Sequence, residues 1–254
     1  MSGVGALWWR EIIRFLRQRS RLIGAGMQPL LFWLLLGGGF ASSFQPAGAP
    51  ADTGALQYFY PGILTLVLLF TAIFSTIAVV EDRKSGFLQG VLVAPISRRG
   101  VVLAQALGGT TLAVLQGALL LVLAPLVGVP LSLGSVAAAV ATMAAIAFAL
   151  TSLGLVIAWR MESTQGFHAI MNLILMPIWL LSGAFFPAAG AAGWLGWVMW
   201  VNPLTYGMAA LRRCLYLDLP AAVGAVPPLG LSLAVTLAFG ALAFASAAAI
   251  ARRG

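Results

Sequence analysis

This chain is poor in charge, in cysteine and in histidine. Only 8% of its 254 residues are charged, and six side chains are acidic. That is too little polar surface to clothe a water-soluble fold. Cys214 stands alone, which excludes an internal disulfide and argues against a cysteine metal site. His168 is the single histidine, which removes most zinc-enzyme and Ser-His hydrolase chemistry. Lysine is nearly missing too. Lys84 precedes Ser85, but Arg83 stands where a phosphate-binding loop G-x-x-x-x-G-K-[ST] needs glycine, so the chain has no ATP site of that kind. No carboxylate pair lies within an apolar stretch, as proton-coupled carriers often require, and no inverted repeat is visible. So few reactive groups leave little for an intramembrane enzyme, and no catalytic, cofactor or metal residue is assigned.

What remains is apolar. Hydrophobic residues make up 61% of the chain, and the mean hydropathy is +1.03. A spanning helix needs about 20 apolar residues. Six stretches qualify: 22–44, 57–80, 101–127, 133–159, 167–187 and 228–250. Their continuous apolarity excludes a β-barrel, whose strands alternate over about ten residues. The expected fold is therefore an all-α membrane protein: residues 1–21 form a surface helix and residues 22–254 a six-span domain. The first stretch is too long for a signal-peptide core and is read as span one.

Net charge is +8, and its placement carries the topology rather than pointing to nucleic acid. Arg10, Arg14, Arg17, Arg19 and Arg21 precede span one. Arg83, Lys84, Arg98 and Arg99 follow span two, Arg160 follows span four, and Arg252 and Arg253 follow span six. With six spans these all share one side, which the positive-inside rule makes cytoplasmic, with both termini there. Arg212 and Arg213 fall on the other side with Asp52 and Asp218. Lipid-phosphate contact or mutual pairing is the preferred reading for them, ahead of substrate binding.

Local patterns add detail. Arg10, Arg14, Arg17 and Arg21 share one helical face, with Trp8, Ile12, Phe15 and Leu16 opposite. Such a helix lies in the headgroup layer, as a plain anchor or as a gate helix that also touches a partner. In the inner loop 81–99, Phe87, Leu88, Val91 and Leu92 form an apolar stripe at helical spacing. Pro95 ends that short helix, and Ser97 caps span three. The helix packs on its own spans, the preferred reading from the residues alone, or docks in a partner's groove. His168 and Asn172 share a face of span five; helix–helix hydrogen bonding is preferred to a transport role. Met176-Pro177 predicts a kink. Residues 188–200 carry Trp194, Trp197 and Trp200 but are too short to cross, so they read as a re-entrant or interfacial piece on the outer side.

Three motifs, in order, carry a resemblance. Glu81-Asp82-Arg83-Lys84-Ser85-Gly86-Phe87-Leu88 with Ala94-Pro95-Ile96-Ser97-Arg98 resembles the signature loop of bacterial ABC-2 type permeases. Leu181-Ser182-Gly183-Ala184-Phe185-Phe186-Pro187 and Asn202-Pro203-Leu204-Thr205-Tyr206-Gly207 with Ala210-Leu211-Arg212 resemble further family segments. The likeness is greatest to the daunorubicin-resistance and nodulation-exporter branch. It implies the transmembrane subunit of an exporter in the bacterial inner membrane, moving an amphipathic drug, lipid or glycan. The permease would pair with a second copy, and two separate ATPase subunits would bind ATP and magnesium. The resemblance also makes Glu81, Arg83, Gly86, Phe87, Leu88, Leu92 and Pro95 the ATPase-coupling residues, which turns the reading of the loop toward docking. Arg10, Arg14 and Arg17 become part of an interface helix, and Phe185, Phe186, Pro187, Trp194, Trp197, Asn202, Pro203 and Tyr206 an outer gate. Phe87-Leu88-Gln89-Gly90 departs from the family's frequent Thr-Leu-Glu run. Spans one, two and five are the expected pathway lining. An ATP-independent carrier or channel, and a non-transporting scaffold, are the other classes considered.

Overall fold

The computed structural model describes residues 3–39, 54–184 and 193–253. Among the described residues every regular element is helical. The long ones are α1 (Gly3–Arg17), α2 (Arg19–Gly39) and α3 (Ala55–Ser75), which continues through a bend into α4 (Ile77–Lys84). A short α5 (Phe87–Val93) leads to α6 (Arg98–Leu121), α7 (Leu133–Ala158) and α8 (Thr164–Trp179). Then come α9 (Gly193–Val201), α10 (Pro203–Leu215) and α11 (Leu229–Arg253).

Five stretches among the described residues are long and apolar enough to cross a membrane: Ala55–Lys84, Arg98–Leu121, Leu133–Ala158, Thr164–Ala184 and Leu229–Arg252. They coincide with expected spans two to six. Expected span one corresponds to α2, which contributes the shorter apolar helix Pro29–Gly39; residues 40–44 lie outside the described residues.

The core is built around α3. Every residue from Tyr58 to Ile73 is buried, because α2, α6, α7, α8 and α10 all pack on it. This corrects the expectation that span two lines a pathway: α3 is enclosed within one chain and leaves α2 and α8 more open. The tight packing depends on small residues. A Cβ on Gly154 of α7 would lie 2.8 Å from Thr76 Oγ1. The bend between α3 and α4 has a local cause as well. The Ser75 and Thr76 hydroxyls donate to the carbonyls of Ala72 and Ile73, a back-bonding that bends helices.

Hydrogen bonds sort the helix ends into two groups. At one end Arg83 Nη1 and Nη2 donate to the carbonyls of Met161 (3.0 Å) and Trp159 (2.8 Å), just past α7. There too Arg98 Nη1 donates to the Ala251 and Arg252 carbonyls of α11, both at 3.1 Å. These cations satisfy carbonyls that a helix terminus leaves open and favour the negative end of its dipole. At the opposite end Gln57 Nε2 donates to the Gly128 carbonyl (2.9 Å) and Tyr216 Oη to that of Gln57 (3.3 Å). Successive long helices therefore run antiparallel. Ser97 and Ser163 cap α6 and α8 by accepting from the backbone N–H groups of Gly100 and Gly166, as the sequence predicts for Ser97.

One element is absent from the sequence reading. Residues 203–215, read as part of an outer loop, form α10, most of whose residues are buried. This corrects the reading of its two arginines. Arg212 is only 7% exposed; its Nη2 donates to the Tyr58 carbonyl (3.2 Å) and its guanidinium lies 4.7 Å from the Tyr58 ring centroid. Arg213 donates to the carbonyls of Pro227 (2.7 Å) and Val226 (2.8 Å). Both bind protein backbone, and among the described residues neither pairs with Asp218.

Candidate functional site

Three of the six acidic residues meet two arginines at the first end of the bundle. Arg10 and Arg14 lie four apart on α1, so they share a face. Asp82 sits on α4 and sends both oxygens toward that face. Arg10 Nη1 and Nη2 reach Asp82 Oδ2 and Oδ1 at 2.9 and 3.0 Å. Arg14 Nη1 reaches Asp82 Oδ1 and Arg14 Nη2 reaches Glu81 Oε2, each at 2.6 Å. Arg10 also pairs with Glu11 at 2.8 Å. The fork-on-fork match of guanidinium and carboxylate makes these charge-assisted bonds directional. Asp82 is buried while the arginines keep part of their surface in contact with solvent.

The seam reaches the loop as well. The Arg10 guanidinium stacks 3.7 Å from the centroid of Phe87, the first residue of α5. Gly86, between α4 and α5, adopts φ +75°, a left-handed conformation that only glycine holds without strain. One arginine of α1 thus touches both sides of the Gly86 turn.

Apolar contacts complete the docking of α1. Ile12 and Phe15 pack with Leu112 of α6, and Trp8 Nε1 donates to Thr111 Oγ1 at 3.2 Å. The apolar face expected to sit in lipid headgroups meets protein instead. Leu16, expected on that face, is half exposed, as is Trp9; Arg17 is exposed. Burial pushes the Glu11 carboxyl above the ordinary carboxylate range, against the pull of Arg10. The hydrogen bonds that Arg10 donates to Asp82 hold its guanidinium more firmly in the charged form.

The other residues expected to couple to an ATPase divide by face. Leu88 and Val91 are buried in this chain's own core, and Leu92 packs against it. Arg83 is engaged with the end of α7. The outward face of α5 and its exit is Phe87, Gln89, Gly90, Val93 and Pro95, all exposed, with Val93 at 87%. The short helix packs one side inward, as the residues alone favoured, and leaves the other side exposed.

At the far end the residues expected to form an outer gate fall into a clip and a rim. Pro177 sits inside α8, and the helix then loosens into a π turn, Leu180–Ala184, with Gly183 at φ +81°. Asn202 holds that turn: its Nδ2 donates to the Ile178 carbonyl (2.7 Å) while its Oδ1 accepts from Leu204 N–H and caps α10. Pro203 follows at the first helical position, where its missing N–H costs nothing. Thr205 Oγ1 donates to the Met199 carbonyl (2.7 Å), and Tyr206 Oη to that of Trp200 (3.0 Å). Trp194, Trp197 and Trp200 are more than 60% exposed on α9, as suits indole rings at a membrane interface. Phe185, Phe186 and Pro187 lie outside the described residues. Sequence reasoning missed the α1–α4 ion pairs. The available signal was an adjacent acidic pair in a chain with almost no acid, opposite arginines at four-residue spacing.

Helices of spanning length around a buried central helix, with a docked amphipathic helix at the charged end, define a multi-pass helical membrane protein. The ABC-2 type transporter family matches residues 2–216, and the chain belongs to that family. It is similar to the putative transport permease ycf38 of Cyanophora paradoxa, with 27% identity over 208 residues, 80% of this chain and 70% of the relative. Ycf38 of Porphyra purpurea is 26% identical over 214 residues, 84% of this chain and 73% of the relative. The inner membrane transport permease YhhJ of Escherichia coli is 26% identical over 175 residues, 68% of this chain but 46% of YhhJ. The protein is a transport permease component.

Proposed function

We propose that this chain is the permease subunit of an ATP-driven exporter. It resides in the bacterial inner membrane with both termini in the cytoplasm. Two copies would form the pathway, and two separate ATPase subunits would bind ATP and magnesium and supply the motion. The cargo class is an amphipathic drug, lipid or glycan, since the chain offers few fixed charges to a small ion.

The observation that carries this reading is the seam joining α1 to both sides of the Gly86 turn through Arg10 and Arg14. A push on α5 would reach α1 and the α3–α4 rod together, because charge-assisted bonds and packed helices shift as units. The open α5 face, with Val93 at its edge, is an apolar contact for a partner groove. The likeness to an inner membrane transport permease supports the location.

The test is co-expression with the candidate ATPase. The wild-type pair is expected to purify together and hydrolyse ATP, and Val93→Glu to abolish association while the permease stays folded. Failure of any ATPase to associate, with solute transport by the chain alone, would replace this reading with a carrier.

A further inference from the structure

Three arginines gather where α6 begins and α11 ends. Arg98 Nη1 lies 3.1 Å from the carbonyls of both Ala251 and Arg252, so the start of α6 and the last turn of α11 are in contact. Arg99, the next residue of α6, and Arg252 are both exposed. No acidic residue occurs between Asp82 and Glu162 or after Asp218, so neither α6 nor α11 supplies a counter-charge. The ion pairs among the described residues all belong to the seam of Arg10 and Arg14. Arg98 is placed well, since it caps the carbonyl end of α11 and favours that end of the helix dipole. Arg99 has no such compensation. It stands in the first turn of α6, where the dipole repels a cation and no acid offsets it.

The same corner ends an apolar track. On α11, Leu242, Ala245, Ala249 and Arg252 are all exposed, at spacings of three, four and three that align them on one stripe. Ten residues of helix rise about 15 Å, half of the roughly 30 Å hydrocarbon core. The stripe therefore runs the depth of one leaflet and finishes on a guanidinium. Its polar neighbour makes no demand for water, because Ser246 Oγ donates to the Leu242 carbonyl at 2.8 Å and is satisfied within the helix.

We propose that this corner binds an anionic phospholipid, with the phosphate between Arg99 and Arg252 and one acyl chain along the α11 stripe. A planar guanidinium pairs with two phosphate oxygens at once, and basic pockets between spanning helices at a charged membrane face hold such headgroups. A soluble acidic protein or a free phosphate would meet the arginines and leave the stripe empty; a phospholipid occupies both. The bound headgroup offsets the repulsion at the start of α6 and ties it to α11, the two helices that Arg98 already joins. Such a site needs only a membrane-spanning chain and stands whether or not the permease reading holds.

Native mass spectrometry of the full chain, purified in detergent and titrated with phosphatidylglycerol or chain-matched phosphatidylcholine, tests this. Each cation beside an anionic headgroup strengthens binding several-fold, so the wild type is expected to hold phosphatidylglycerol at least about tenfold more tightly. Arg99→Gln together with Arg252→Gln should erase that preference. Arg99→Lys together with Arg252→Lys should keep most of it, since phosphate also accepts a point charge. Arg98 is left in place, so the cap of α11 survives in every variant. Equal binding of the two lipids by the wild type would overturn the proposal, and that comparison needs no variant to fold. A preference that survives the double glutamine variant would overturn it too; if that variant instead loses its ATPase, the corner is a protein contact. Displacement of phosphatidylglycerol by excess inorganic phosphate would overturn it in favour of a free-anion site.

Discussion

Replacing Asp82 with alanine removes the acceptor for three guanidinium N–H groups, two from Arg10 and one from Arg14. Each charge-assisted bond is worth about 1.5–3 kcal/mol when its partners are desolvated. Arg10 and Arg14 keep 32% and 22% of their side-chain surface, so water replaces part of what is lost and the sum must be discounted. Arg14 also retains Glu81. The expected net loss is about 2–4 kcal/mol of α1 docking. Because Ile12, Phe15 and Trp8 still hold the helix, α1 should loosen rather than leave. Hydrogen exchange of the α1 amides reads this directly: about 2–4 kcal/mol corresponds to roughly 30- to 800-fold faster exchange through local opening. Protection of α6 and α7 should be nearly unchanged. Asp82→Glu should recover part of the effect. Exchange in α1 within threefold of wild type would refute the idea that the ion pairs hold the helix.

Three other outcomes follow from the geometry. Burial raises the Glu11 carboxyl above its usual value; the undocked state then loses its proton first as pH rises. Docking of α1 is therefore favoured at low pH and weakened between the ordinary carboxylate value and the raised one. Glu11→Gln should flatten that dependence in an exchange-versus-pH series without loosening α1 near neutrality. Asn202→Ala loses the cap of α10 and the bond to the Ile178 carbonyl and should cost about 1–3 kcal/mol; a lower midpoint of thermal unfolding in detergent checks it, and an unchanged midpoint contradicts the clip. Gly154→Val forces side-chain atoms onto Thr76 at the α3–α4 bend and should cost about 1–3 kcal/mol by overpacking, read by the same unfolding measurement, whereas Gly90→Ala has open space around it and should be neutral.

The spans were legible because membrane crossing is a local property. A window of about 20 residues either is or is not apolar enough, and ends such as Ser97 and Pro95 announce themselves through capping and backbone restriction. Helix α10 was not legible for the same reason. Its sequence is mixed, with Arg212 and Arg213 in its last turn, and local reasoning sends paired arginines to the surface. Only the start of α3, brought to within hydrogen-bonding distance across 154 residues of chain, makes a buried arginine tenable there.

The same division runs through the candidate site. Composition and hydrophobic run length by themselves determined an all-helical membrane protein, because those depend on what each residue is. The tertiary structure decided which arginine met which acceptor: Arg10 and Arg14 the α4 carboxylates, Arg83 and Arg98 the ends of α7 and α11. Those partners lie some 70 to 150 residues away. A guanidinium accepts any well-placed oxygen, and only packing chooses which oxygen is placed.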